Sequence, residues 1–394
     1  MSELIPGVSY ADFVAEANRH EIEAAFRNSD FFRRHAAALD ALLHTPEISR
    51  LAEASADPDQ LHLVHWNIEK GKELDGLKAR FAADPDFTRA DLIFLNEVDV
   101  GMVRAGPNAD VGAELARAHR SQLVYLPSYI ECTKGLGAER SLPGENTRGL
   151  HGLAILTRLP ILEVRMYPLP PCWDYFHFHE KRLGLRQGLY LLLQWGESKL
   201  VAATTHLEVR RTPLCRQLQF EAFLRGLGAA LKRWGRDLPV VIAGDWNTNT
   251  FPRSGWRNTA RGFLRVVGTP RTRLATELLD PTEREPLFDN LRWERFERDA
   301  WNDGRATAEQ RLGTVEDLSL LPPALGAALL RAVGLTDRVL EMRLDWIAAR
   351  GLRAAEPPRT LPQGWTGGPA SDEAGRPLSD HAPITASAHR PTTP

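Results

Sequence analysis

The sequence predicts an α/β fold of two packed sheets covered by helices. Short apolar runs of strand composition recur from residue 61 onward, and few long helices separate them. Several of these runs also stop on a polar residue. In residues 240–250, VVIAGDWNTNT, four apolar positions run into Gly244 and then into Asp245, Trp246 and Asn247, so a buried strand carries a carboxylate and an amide to its end. The stretches 61–67 (LHLVHWN), 91–97 (DLIFLNE) and 201–206 (VAATTH) repeat that design.

In chain order, residues 1–60 read as a helical extension. Asn28 to Asp30 offer caps for a helix over 31–44, and Thr45 before Pro46 restarts a helix in cap and first-turn order. This region carries no recognisable chemistry, and packing against the main domain accounts for it. Candidate strands follow at 61–66, 91–96, 122–127, 151–156, 161–167, 188–195, 199–205, 239–243, 344–348 and 383–388. The clearest helix is 213–234, where Phe220, Phe223, Leu224, Leu227, Leu231 and Trp234 form one apolar stripe. A segment of about 251–340 is too long for a simple connection and reads as an inserted lid. It carries Arg253, Arg257, Arg261, Arg265, Arg271 and Arg273, which suit a solvated helix face and a phosphate-binding surface equally well. Residues 356–379 read as a Pro/Gly-rich loop, and 389–394 as a tail.

The chain has 394 residues, 43% of them apolar, enough for a sizeable core. Its net charge of -2 sets up no global field toward nucleic acid or an anionic membrane. Cys132, Cys172 and Cys215 are odd in number and far apart, which predicts no structural disulfide and a reducing compartment. No apolar run is long enough to span a bilayer, the first residues lack a signal-peptide pattern, and the expected location is cytoplasmic.

The polar residues at strand ends are Asn67, Glu97, His206, Asp245 and Asn247, followed by Asp345 in RLDWI and the pair Asp380, His381 in SDHAPI. Any one alone reads as a cap or a buried hydrogen-bonding group, because Asp and Asn are common where strands end. Together, carboxylates and amides without clustered cysteine favour a hard cation, Mg²⁺ or Mn²⁺, over zinc. A phosphodiester resists nucleophiles, so its hydrolysis needs a cation on the phosphoryl oxygens, an oriented water and stabilisation of the leaving oxygen.

Taken in order, HWNIEKG (65–71), LIFLNEVD (92–99), HGLAILTRLPI (151–161), THLE (205–208), GDWNTN (244–249), LDWI (344–347) and SDHAPI (379–384) resemble the endonuclease/exonuclease/phosphatase superfamily over residues 61–388. The resemblance implies a four-layered α/β sandwich of two mixed sheets flanked by helices, with the site at one edge. It also implies Glu97, Asn67 and Asp380 as the metal set, Asp245 as the residue that orients the attacking water, and Asn247 and His206 as donors to the phosphate. His381, oriented by Asp345, would be the acid/base partner or a stabiliser of the transition state, and His151 a phosphate contact. The loop 170–188 adds Trp173 and Arg186 as candidate substrate contacts, able to stack a base or cover a headgroup, or else simply to pack on the sandwich edge.

The activity so implied is hydrolysis of a phosphoester, of small or headgroup-like substrate. The alternative is a DNA or RNA nuclease, although duplex DNA is disfavoured by the slightly acidic balance and by the enclosure a lid would give. An inactive binding module on the same fold is the reading from another class. Nothing in the sequence sets the oligomeric state.

Overall fold

The computed structural model describes residues 3–53, 59–248, 256–311, 339–364 and 377–389. Its described residues form two large mixed sheets. The smaller runs in the order Asp345–Arg350, Val240–Asp245, Ser198–Thr205, Gln187–Trp195, Ile161–Pro168. The larger runs Arg353–Thr360, Ile384–His389, Gln60–Asn67, Leu92–Val100, Leu150–Thr157, Gln122–Glu131, Glu47–Ser49, with Arg182–Gly184 added beside Gln122–Glu131. Each sheet contains a parallel pair, Gln60–Asn67 with Leu92–Val100 and Ser198–Thr205 with Val240–Asp245.

Alternation along the strands sorts side chains into layers. Leu61, Leu63, Leu92 and Phe94 of the larger sheet meet Leu189, Leu191, Val241 and Ile347 of the smaller one in a central core. The intervening Val64, Trp66, Ile93 and Leu95 face outward into a second core shared with Leu77, Phe81 and Leu115. On the outer side of the smaller sheet, Tyr190, Leu192 and Ile242 lie under Phe220, Phe223 and Leu227 of the helix Pro213–Trp234. The helix starts where Thr212 accepts from the Cys215 amide ahead of Pro213, and it ends at Gly235, whose φ of 142° a residue with a side chain rarely adopts. Truncating fully buried Phe223 to Ala would cost about 3–5 kcal/mol in this layer. The fold is the four-layered α/β sandwich.

Several expectations need correction. Residues 45–46 do not restart a helix. The chain there enters a short strand, Glu47–Ser49, whose pairing with Tyr125, Val124 and Leu123 outweighs the local cap signal. The preceding helices, including Asp30–His44 capped by Ser29, contribute Phe13, Phe26, Leu39 and Leu43 to the same core as Trp66. Within the segment taken as a Pro/Gly loop, Arg353–Thr360 is an edge strand on Ile384–His389. The second of its register shifts, between Glu356 and Arg359, spans Pro357 and Pro358, which cannot donate to a ladder. Residues 365–376 and 390–394, like Arg253, lie outside the described residues.

Cysteine is the third correction. Cys172 and Cys215 form a disulfide with Cα atoms 6.2 Å apart, leaving Cys132 free and buried. The two lie 43 residues apart in sequence, and only the packing of the loop before Arg182–Gly184 against the start of the helix Pro213–Trp234 brings them together. The argument for a reducing compartment therefore loses its basis. Among the described residues, no helix is long and apolar enough to cross a membrane.

Candidate active site

Glu97 was expected at a strand end, but the strand continues to Val100. Glu97 instead occupies a bulge. The register against Leu150–Thr157 shifts between Asn96 and Val98, and Glu97 takes a φ of 56°. One extra residue reverses the alternation, so Val98 and Val100 rejoin the outer core, and Glu97 is aimed out of the ladder into the cleft. Asn67 ends the neighbouring parallel strand, and its amide donates to Glu97 Oε1 at 3.4 Å and to Asp245 Oδ2 at 3.0 Å.

Asp245 ends the strand Val240–Asp245 opposite Asp345. Gly244 before it is required by a close approach, since a Cβ there would lie 2.0 Å from the Thr205 carbonyl oxygen. The Asp245 amide donates to Asn96 Oδ1 at 2.6 Å, and its Oδ1 accepts from the Asn247 amide at 2.9 Å. Asn247 holds a φ of 51°, a conformation asparagine tolerates, and its side-chain amide donates to the Leu207 carbonyl. His206 Nε2 lies 3.3 Å from Asp245 Oδ2, and His381 Nε2 lies 3.9 Å from the same oxygen. Beyond them, His381 Nδ1 is 2.7 Å from Asp345 Oδ2.

These charges push the two imidazoles in opposite directions. Burial would lower His381, but Asp345 and Asp380 outweigh it and hold the ring well above its ordinary pKa. His206 is lowered, by burial and then by Arg186, with Asp245 offsetting only part. Burial also opposes ionisation of Glu97 and Asp345. His206, His151 and Lys70 nevertheless hold Glu97 well below the carboxylate range, and His381 and His65 do the same for Asp345. Asp380 keeps an exposed edge, yet desolvation at the cleft, and then Glu69 and Glu97, push it up to about 6 against the pull of His381.

His151 sits across from Asp99 in the ladder, and its Nδ1 is 2.8 Å from Asp99 Oδ1. Asp99 in turn accepts from buried Arg104, which also bonds Glu131 and Glu180. Arg186 Nη1 donates to the His206 carbonyl at 3.1 Å and lines the cleft. Trp173 stands apart from these. It packs edge-on to Phe178 under Arg211 and is not among the residues lining the cleft. The arginines of 257–273 are not among them either. Arg265 and Arg273 pair with Glu277, which fits the solvated-face reading.

The cleft itself has a volume of about 540 Å³ and gathers Glu97, His151, Arg186, His206, Asp245, Asn247, Asp380 and His381. Sequence reasoning passed over Glu69, Lys70, Glu180 and the buried partners His65, Asp99 and Arg104. One signal was available for His65: it shares the inward parity of Leu61 and Leu63, so an imidazole lies on a face otherwise aimed into the central core. The sequence model of the endonuclease/exonuclease/phosphatase family matches residues 64–381. The chain belongs to this family.

Members of the family hydrolyse phosphoester bonds with a divalent metal ion. Among solved structures, the chain is similar to the human Nocturnin catalytic domain with bound sulfate anion, at 13% identity, covering 87% of this chain and 96% of that one, with a TM-score of 0.47. It is also similar to a humanized D. rerio TDP2, at 16% identity, 84% and 100% coverage and a TM-score of 0.44. A third is an endonuclease/exonuclease/phosphatase from Beutenbergia cavernae DSM 12333, at 16% identity, 84% and 71% coverage and a TM-score of 0.45. No curated protein sequence matches the chain.

The donor chemistry fits a hard cation. Ligand atoms of Asp245, Asp345 and His381 lie within 4.8 Å of one another. Both Asp345 oxygens, however, already serve imidazoles, so an ion placed there would break those bonds. Glu97, ionised and aimed into the cleft beside Asn67 and facing Asp380, is the better-placed carboxylate.

Proposed function

We propose that this protein is a Mg²⁺- or Mn²⁺-dependent hydrolase of a small or headgroup-like phosphoester, attacking phosphorus with water. The observation that carries this reading is the position of Asp245. One of its oxygens lies near His206, His381 and the Asn67 amide, while the other accepts from the Asn247 backbone. Such a carboxylate is held in an orientation from which it can accept a water proton.

Glu97, with Asn67 and Asp380, would hold the cation, which when bound polarises the phosphoryl oxygens and offsets their charge. Asn247 and His206 donate to the non-bridging oxygens. His381, held by Asp345 and carrying a raised affinity for its proton, stabilises the negative charge that develops in the transition state. His151 and Arg186, which line the same cleft, contact the remainder of the phosphoester. Trp173 lies beyond the cleft lining and would reach only a substrate that extends past it.

The test is a panel of bis-aryl phosphate, sphingomyelin, inositol phosphates, RNA and DNA assayed with Mg²⁺, Mn²⁺ and EDTA. Metal-dependent turnover of a small diester or headgroup is the expected result. Undiminished turnover in EDTA would remove the metal from the reading, and preference for polynucleotide would move the substrate class to nucleic acid.

A further inference from the structure

The strand Asp345–Arg350 lies at the end of the smaller sheet, and its outer edge is covered by pieces of the long segment that follows Val240–Asp245. The coverage is periodic. Glu297 exchanges both backbone bonds with Ala349, at 2.8 and 3.0 Å. Asn302 imitates a strand residue with its amide, donating to the Ile347 carbonyl at 2.7 Å and accepting from the Ile347 amide at 3.2 Å. Thr307 then takes the next position, at Asp345. Positions 345, 347 and 349 are therefore served in turn, as a neighbouring strand would serve them.

Thr307 makes more of these connections than its neighbours. It is 1% exposed, and its Oγ1 accepts from the amides of Leu344 at 3.0 Å and Asp345 at 3.1 Å. Its own amide donates to the Met342 carbonyl at 2.9 Å, and its carbonyl accepts from the Ala382 amide at 2.7 Å. The next residue, Ala308, forms an antiparallel bridge with His381. One residue is thus bonded on one side to the backbone of Asp345 and on the other to the loop that carries His381.

We propose that Thr307 is a positioning residue whose side-chain oxygen and carbonyl together set the 2.7 Å contact between Asp345 and His381. The segment that supplies it is part of the frame of the site as well as a wall around it. The role rests on the reading of the Asp345–His381 pair given above. The physical case is that a buried amide left without an acceptor shifts until it finds one. Loss of Oγ1 releases two amides at the first residues of the strand, and the imidazole bonded to Asp345 moves with them.

Thr307→Val keeps the shape and removes the acceptor, whereas Thr307→Ser keeps the acceptor and removes the methyl. Thr307→Ala, compared with Ser, carries the same contrast if the Val protein does not fold. On a bis-aryl phosphate, the Val protein should lose about 10- to 100-fold in kcat with KM little changed, and the Ser protein should recover most of it. Placed on a His381→Ala background, Thr307→Val should cost little more, because the residue it acts through is gone. A readout independent of turnover is the downfield proton NMR signal of His381 Nδ1–H. It should be present in wild type and Ser and lost or displaced in Val. An unchanged signal and kcat in Val, a Ser protein as impaired as Val, or an equal loss on the His381→Ala background would each overturn the role. If wild type turns over no phosphoester, the functional reading fails while the NMR comparison still decides whether Thr307 positions the pair.

Discussion

Asp345 is shared between two imidazoles, accepting at 2.7 Å from His381 on one oxygen and at 2.9 Å from His65 on the other. His65 is fully buried, and it faces Asp345 from the opposite sheet. The pair in the cleft is therefore anchored through the central core. Asp345→Asn and His381→Ala should each lower kcat by about 10²- to 10⁴-fold, and the double variant should lose little more than either alone. Losses that multiply in the double variant would show two independent residues.

Glu97 owes its orientation to the bulge and its ionised state to His206, His151 and Lys70. Glu97→Gln keeps the shape and removes the charge. Turnover should fall by at least about 10²-fold, or the Mg²⁺ requirement should rise steeply, with the circular dichroism spectrum unaltered. A Glu97→Gln protein fully active in EDTA would end the metal mechanism.

How far the sequence foretold this site depended on parity and on contacts between distant segments. The strands and the helix Pro213–Trp234 were legible because apolar periodicity reports burial directly. Asp245 and Asn247 were legible because they follow an apolar run, and Asp345 and His381 because they stand in the motifs LDWI and SDHAPI that resemble the family's. The bulge at Glu97 was not, since one extra residue in a strand leaves no compositional mark. The disulfide was hidden because the sequence separation of Cys172 and Cys215 says nothing of the packing of their loops. The network of Asp99, Arg104, Glu131 and Glu180 was hidden for a related reason: each charge looks like a surface residue until its partners are known.

Arg216 on the helix Pro213–Trp234 and Glu285 in the following segment are both fully buried and paired in two bonds. A buried pair adds little net stability, but removing one partner strands the other charge. Glu285→Gln should therefore destabilise the fold by about 3–5 kcal/mol in urea melts. A change below about 1 kcal/mol would mean that Arg216 finds another partner or water.

His119 carries a pH signature of stability away from the site. Burial, and then Arg158, lower its pKa from 6.5 to about 4, while Nε2 bonds the Phe87 carbonyl at 2.9 Å. The folded state thus favours the neutral ring. This contribution is complete above pH 6.5 and is lost as pH falls from 6.5 toward 4, amounting to about 3 kcal/mol at roughly 1.4 kcal/mol per pH unit. His119→Gln should flatten the slope of unfolding free energy across that window. An unchanged slope would assign it to other groups.

Substrate choice follows from the surroundings of the catalytic residues, which treat phosphoesters alike. The cleft is also lined by Leu136, Glu139, Ala308, Glu309 and Met342. Among the described residues that line it, the carboxylates Glu69, Glu139, Glu180 and Glu309 stand beside Lys70, Lys72, Arg182, Arg186 and Arg210, so this lining carries no continuous cationic track. Duplex DNA binding draws its affinity from such tracks through counterion release. With a net charge of -2, the chain has little long-range attraction to replace them. A small phosphoester or headgroup, by contrast, needs only to enter the cleft. At about 0.15 M salt, a supercoiled plasmid should remain closed under conditions that hydrolyse a bis-aryl phosphate, and lowering the salt should change this little. Efficient nicking of the plasmid at that salt would overturn the enclosed-cleft reading and would reassign the arginines of 257–273 as a nucleic-acid contact surface.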